Sequence, residues 1–143
     1  MPSSLERYIT TGIDQIDRDH AAMLDLLSLL SSMVEDKADN DMIDTTLKEL
    51  VDVICGHIDN EDALMIRIKY HNISEHRNSH SWFTLRMSEI VFSLQTDKIL
   101  AASNLASLIK HWHAAHFPLH DIPLSIAAKR FYRHSRAQQS TSG

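Results

Sequence analysis

Residues 41–68 read DMIDTTLKELVDVICGHIDNEDALMIRI, with apolar side chains at Ile43, Leu47, Leu50, Val51, Ile54, Ile58 and from Leu64 to Ile68. Steps of three and four residues place these on one face of a helix; a half-buried strand would alternate instead. Asp41 is the expected N-cap, and the stretch from Tyr70 to Ser74 breaks the pattern. The same period recurs on either side. Helix one runs from Ile16 through Met23, Leu24, Leu27, Leu30 and Met33 to the polar run 35–40. Helix three starts near Ser74, carries Trp82, Phe83, Leu85, Met87, Ile90, Val91 and Leu94, and ends near Asp97. Helix four follows Ile99, Leu100, Leu105, Leu108, Ile109, Trp112 and Ala115 as far as Pro118, which is expected to end it. A short amphipathic helix from Pro123 to about Arg133 comes next. Four helices of about twenty residues with short loops predict an all-α fold, an antiparallel up-down-up-down four-helix bundle with an N-terminal arm and a short C-terminal helix. Residues 1–135 read as one domain and 136–143 as a disordered tail or the start of a linker.

Composition agrees with this and narrows the function. The 143 residues include only 3 Gly and 3 Pro, too few turn formers for a many-stranded β architecture. A net charge of −5 offers no basic footprint for nucleic acid or an anionic membrane surface. No stretch has the eighteen or so apolar residues of a membrane span, and Met1 to Tyr8 lacks a signal peptide's apolar core, so no membrane insertion is expected. The single cysteine, Cys55, cannot close an internal disulfide, and a cytoplasmic location is expected. The unusual feature is histidine, with 10 in the chain.

Several of these histidines sit at metal-ligand spacing. His57 and Glu61, and His76 and His80, lie one helical turn apart, so each pair projects from one face and can share a metal or two adjacent metals. Either pair alone is weak evidence, since scattered histidines produce such spacings by chance, and His116 with His120 supplies another. Together with His20 on helix one and His116 on helix four, however, all four helices contribute to one inward-facing site, and bundle cores are where such sites are built. Asp121 follows His116 by five residues, which in a continuous α-helix turns it well off the histidine's face. The expected break at Pro118 lets it swing back.

The residues Gly12-Ile13, Ile16-Asp17-x-x-His20, His57-x-x-x-Glu61, Leu64-Met65, Tyr70, His76-x-x-x-His80, Trp112-x-x-x-His116 and Asp121 resemble the signature of the bacterial hemerythrins, in the family's order. The resemblance implies a non-haem di-iron centre of two iron ions (Fe2+/Fe3+) with an oxo or hydroxo bridge. It implies His76, His80 and His116 on one iron, His20 and His57 on the other, and Glu61 and Asp121 bridging both. Counted against two octahedral ions, that set leaves one position open, on the iron with two histidines. Dioxygen is the implied ligand and oxygen storage, delivery or oxygen and redox sensing the implied role, as a binding module and not an enzyme. The alternatives are a sensory input domain of a larger chemoreceptor or diguanylate cyclase, and a di-iron oxidase or nitric-oxide-handling enzyme. A downstream signalling domain or an oxygen-requiring enzyme is the expected partner. Ile58 stands where the family usually has Phe. With Met65 and Trp112 it is a candidate for lining the oxygen pocket or supporting the ligands. His71, His111, His113, His120 and His134 read as surface or satisfied histidines, Cys55 as a small buried residue, and Met23 and Met33 as core filling.

Overall fold

The computed structural model describes residues 10–93 and 97–141, with side chains as far as Gln138. Most of the expected N-terminal arm, including Tyr8, lies outside the described residues, as do Leu94 and the last two residues of the expected tail. The helices are α1 (Asp14–Glu35), α2 (Asn40–Arg67), α3 (Ile73–Ser93), α4 (Lys98–His116) and α5 (Ile122–Thr141). Helices α1 to α4 form the four-helix bundle, with α1 packed along α2, α3 along α4, and α4 against α1 and α2. The apolar faces meet in one core around Met23, Leu27, Leu30, Ile43, Leu47, Leu50, Ile54, Phe83, Leu105 and Ile109, all nearly excluded from solvent. Burial of this apolar stripe on each helix drives the assembly. A second cluster of Met65, Tyr70 and Leu124 closes the end of the bundle where α5 begins.

Local chemistry fixes the helix ends. Helix α2 is capped by Asp39, whose carboxylate accepts from the Asp41 N–H at 3.3 Å, so the cap falls two residues before the expected Asp41. Asp41 lies inside the first turn, where its charge faces the positive helix end. Asp97 caps α4 by accepting from the Leu100 N–H at 3.0 Å. At the other ends, Lys37 and Lys69 adopt left-handed backbone with φ of 51° and 53°. Each sits in a Schellman motif: Ala38 and Tyr70 donate back to the Met33 and Met65 carbonyls, both at 2.9 Å. A β-carbon is strained there, so Lys69→Gly is expected to stabilise the metal-free protein by about 0.5–1 kcal/mol, read as a higher urea midpoint. An unchanged or lower midpoint contradicts this.

Pro118 does not end the helical path, contrary to the sequence-based expectation. Residues Phe117–Asp121 form a single π turn that joins α4 to α5. Proline lacks an N–H and crowds the carbonyl four residues back in an α-helix. Widening the turn relieves that contact, and the Ile122 N–H bonds the Phe117 carbonyl five residues back. Helix α5 then continues through Thr141, well past the expected end near Arg133 and into the segment expected to be a disordered tail or the start of a linker.

The described part of the arm is tied to α1. Asp17 accepts from the Thr11 N–H and Oγ1, both at 2.7 Å, and from the Gly12 N–H at 3.1 Å. Gly12 allows this with φ of 82°, and the Lys129 side chain crosses so close above it that a β-carbon would meet Nζ at 2.5 Å.

Candidate metal centre

The seven candidate ligands converge in the bundle interior, none more than 4 % exposed. Helix α1 contributes His20, α2 His57 and Glu61, α3 His76 and His80, α4 His116, and the π turn Asp121. The π turn explains how His116 and Asp121 cooperate: with bonds five residues apart, positions i and i+5 share a face. Asp121 Oδ1 lies 2.9 Å from His116 Nε2 and 3.4 Å from His76 Nε2, and its Oδ2 lies 3.2 Å from His20 Nε2. Glu61 Oε2 lies 2.9 Å from His76 Nε2, while Oε1 meets His57 Nε2 and lies 3.9 Å from His80 Nε2. Each carboxylate therefore stands between the two groups of imidazoles.

These approaches are close, yet the inward-facing atoms are not hydrogen-bonded. His20 Nε2, His76 Nε2, His80 Nε2, His116 Nε2 and both oxygens of Glu61 and Asp121 are buried with no hydrogen-bond partner. So many orphaned polar atoms in one place are costly unless something absent from the chain satisfies them. They sort into two ligand sets, Glu61, His76, His80, His116 and Asp121, and His20, His57, Glu61 and Asp121, with the donor atoms of each within 4.8 Å of one another. Both carboxylates belong to both sets. Imidazole with a little carboxylate suits iron and similar transition ions, and a pair of adjacent cations fits the arrangement.

The electrostatics agree. Burial works against a proton on His57, but Glu61 and Asp19 outweigh it and raise the ring to about 10. Burial likewise opposes a proton on His76, which Asp121 and Glu61 raise to about 9. Burial, joined by the neighbouring His116 and His76, outweighs the pull of Glu61 and pushes His80 down to about 3. Burial tends to raise Asp121, yet the imidazoles of His116, His20 and His76 hold its carboxyl well below the usual range. Without metal, protons on the imidazoles balance the two carboxylates.

Further residues orient the ligands. Asp19 Oδ2 lies 3.2 Å from His57 Nδ1 and accepts from Asn60 Nδ2 at 3.0 Å, while its Oδ1 accepts from Gln15 Nε2 at 2.9 Å. With Nδ1 turned to Asp19, Nε2 is the inward nitrogen of His57, the one that would lose its proton to take a metal. Ser79 Oγ sits 2.6 Å from His116 Nδ1 and accepts from Trp112 Nε1 at 3.3 Å. Trp112 also stacks on His116, with ring centres 4.1 Å apart. Reading the sequence along single helices misses Asp19 and Ser79, because each acts across to a neighbouring helix.

The remaining candidates divide. Ile58 is half-buried and borders a groove of about 510 Å³ between α2 and α3, together with Asp62, Arg77, His80 and Thr84. Met65 packs with Tyr70 and Leu124 at the end of the bundle. Cys55 is exposed, which corrects the expectation of burial: it follows the inward-facing Ile54 by one residue and so turns about 100° away. Met23 is buried in the core and Met33 half-buried against it. His71, His111 and His134 are exposed, whereas His113 and His120 are half-buried with rings against the site. Burial pushes His113 down to about 4.

The interior of this four-helix bundle carries two histidine-rich sets of candidate metal ligands joined by two shared carboxylates, a donor arrangement that could hold metal ions. The hemerythrin HHE cation binding domain matches residues 11–121, and the chain belongs to that family. It is 28% identical over 88 residues to the bacteriohemerythrin of Campylobacter jejuni, an alignment covering 62% of this chain and 66% of that protein. It is also 28% identical over 104 residues to the bacteriohemerythrin of Pseudomonas paraeruginosa, covering 73% of this chain and 67% of that protein. The matched part thus spans just under two thirds of the Campylobacter protein's length. No solved structure matches the chain. Among the described residues no helix is long and apolar enough to cross a membrane.

Proposed function

We propose that this chain binds dioxygen at a pair of iron ions, His76, His80 and His116 holding one, His20 and His57 the other, and Glu61 and Asp121 bridging them. The observation that carries this reading is the unequal pair of ligand sets sharing both carboxylates. One set offers three imidazoles and the other two, so the two-histidine side is the side with room for an exogenous ligand. When bound, the iron pair supplies the two electrons that reversible dioxygen binding needs.

The chain's own residues set the terms of that chemistry. Five imidazoles and only two carboxylates make a softer ligand shell than the Glu-rich sets of oxygen-activating bundles, which favours binding over oxidation of a substrate. Asp19 and Ser79 keep the His57 and His116 rings in place. Phe83 stacks on Trp112, which stacks in turn on His116 of the three-histidine side. This is the profile of a binding module for oxygen storage, delivery or sensing, working in the cytoplasm, and not of an enzyme.

The test is spectroscopic. Iron-loaded, reduced protein exposed to dioxygen is expected to change its near-ultraviolet and visible absorption, and to return to the reduced spectrum when dioxygen is removed under argon. Oxidation that argon does not reverse, with no intermediate spectrum in stopped-flow mixing, overturns reversible binding.

A further inference from the structure

The inner side of α3 is occupied by His76, His80, Phe83 and Met87. The opposite side carries Trp82, Leu85 and Phe92, which are 51 %, 58 % and 81 % exposed, with the exposed Glu89 between the last two. Steps of three, four and three residues put all four on one line along the helix, turned away from the core. Single exposed apolar side chains are ordinary on a protein surface, but three in line form a stripe. Among the described residues no other helix exposes more than two large ones.

The stripe is complementary to itself. Trp82 and Phe92 each lie five residues from Met87, on opposite sides of it. Two α3 helices packed antiparallel about a twofold axis level with Met87 therefore bring Trp82 of each copy against Phe92 of the other, with the two Leu85 side chains flanking the axis. The same register sets Arg86, one residue before the axis, across from Glu89, two residues after it, so opposite charges meet twice. A parallel pairing would instead set Arg86 against Arg86 and Glu89 against Glu89. Both charges are held on the stripe: Arg86 Nη1 lies 3.1 Å from Glu89 Oε1, and the guanidinium sits 5.5 Å from the centre of the Trp82 ring. Phe92 also has a recess to enter. It is two helical turns from Leu85 on the same side of α3, and Leu85 lines the groove of about 510 Å³ between α2 and α3 with Ile58, Ser81 and Thr84. Rotation about the twofold axis keeps that side, so the partner's Phe92 arrives over the groove, level with Ser81 and Thr84.

We propose that α3 is a self-association surface on which two copies of this chain pair antiparallel, the Phe92 ring of each entering the groove between α2 and α3 of the other. The pairing is independent of the paired-metal reading. Three large side chains from each copy make a small interface, so the dimer is a weak one, with a dissociation constant on the order of 10 µM.

The test is sedimentation velocity of the full chain from about 1 to about 300 µM, at about 0.15 M salt to screen the net charge and with a reductant so that the exposed Cys55 does not cross-link copies. The average mass is expected to rise from that of one chain toward that of two and to stop there. Phe92→Ser and Arg86→Glu are each expected to weaken association about tenfold or more, with melting temperatures close to that of the unsubstituted protein, because both side chains are exposed. Arg86→Glu combined with Glu89→Arg is expected to recover affinity to within about threefold, a result particular to this register. A single-chain mass at every concentration overturns the proposal and leaves the stripe to a different protein. A dimer that Phe92→Ser or Arg86→Glu leaves intact, or that the charge exchange fails to restore, overturns it as well.

Discussion

Asp121→Ala is expected to reduce bound iron from two per chain to one or fewer, whereas His120→Ala keeps two. Asp121 belongs to both ligand sets, and its two oxygens face His116 and His76 on one side and His20 on the other. Removing it leaves two adjacent cations with one bridging carboxylate in a buried site, and the mutual repulsion of the cations is no longer offset. His120 is its immediate neighbour and carries the better-known metal-ligand side chain. Its ring stands 5.0 Å from His116 and 5.4 Å from His76, but it is only half-buried and in neither set. Metal analysis of the two variants after anaerobic iron loading separates the cases. Greater iron loss in His120→Ala than in Asp121→Ala contradicts the assignment of the second bridge.

Removing the metal is the second large effect. A chelated sample is expected to melt about 10 °C below the iron-loaded protein, since a ligand present at a thousand times its dissociation constant adds about 4 kcal/mol of stability. The metal-free state also acquires a pH dependence of definite sign. His57 and His76 are raised to about 10 and about 9 by the neighbouring carboxylates. Their contribution is complete below the ordinary histidine value of about 6.5 and is lost as pH rises through 9 to 10. Melting temperature of the chelated protein should therefore fall between about pH 7 and 10, while the loaded protein, whose ligands are already deprotonated, changes less. For the same reason, iron uptake at pH 7 should release about two protons per chain, measurable in weakly buffered solution. A flat profile without metal, or uptake without proton release, contradicts the electrostatic account.

Much of this was legible in the sequence because helices announce themselves by period. The stripe Ile43, Leu47, Leu50 and Ile54 continues inward as His57 and Glu61, so one pattern places both the core and two candidate ligands. The candidate ligand sets were legible as a cluster because their pairs at i and i+4 lie within single helices. What escaped depends on geometry that a linear pattern does not encode. Pro118 reads as a stop, but a π turn absorbs it and brings Asp121 onto the face of His116 by registry, with no chain break. Asp19 and Ser79 act across helix interfaces, where spacing carries no signal. His113 and His120 look like His111 in the sequence, and only the packing of α4 separates the exposed ring from those that touch the site. Lys37 and Lys69 hide two helix ends where glycine would have marked them.

The most direct test of the central claim is an iron count combined with an aerobic absorption spectrum of the protein loaded anaerobically and then oxidised. Two irons per chain, with the near-ultraviolet charge-transfer bands of an oxo-bridged ferric pair, is the result the paired ligand sets predict. One iron or fewer per chain, or zinc alone in a spectrum without charge-transfer bands, would contradict it.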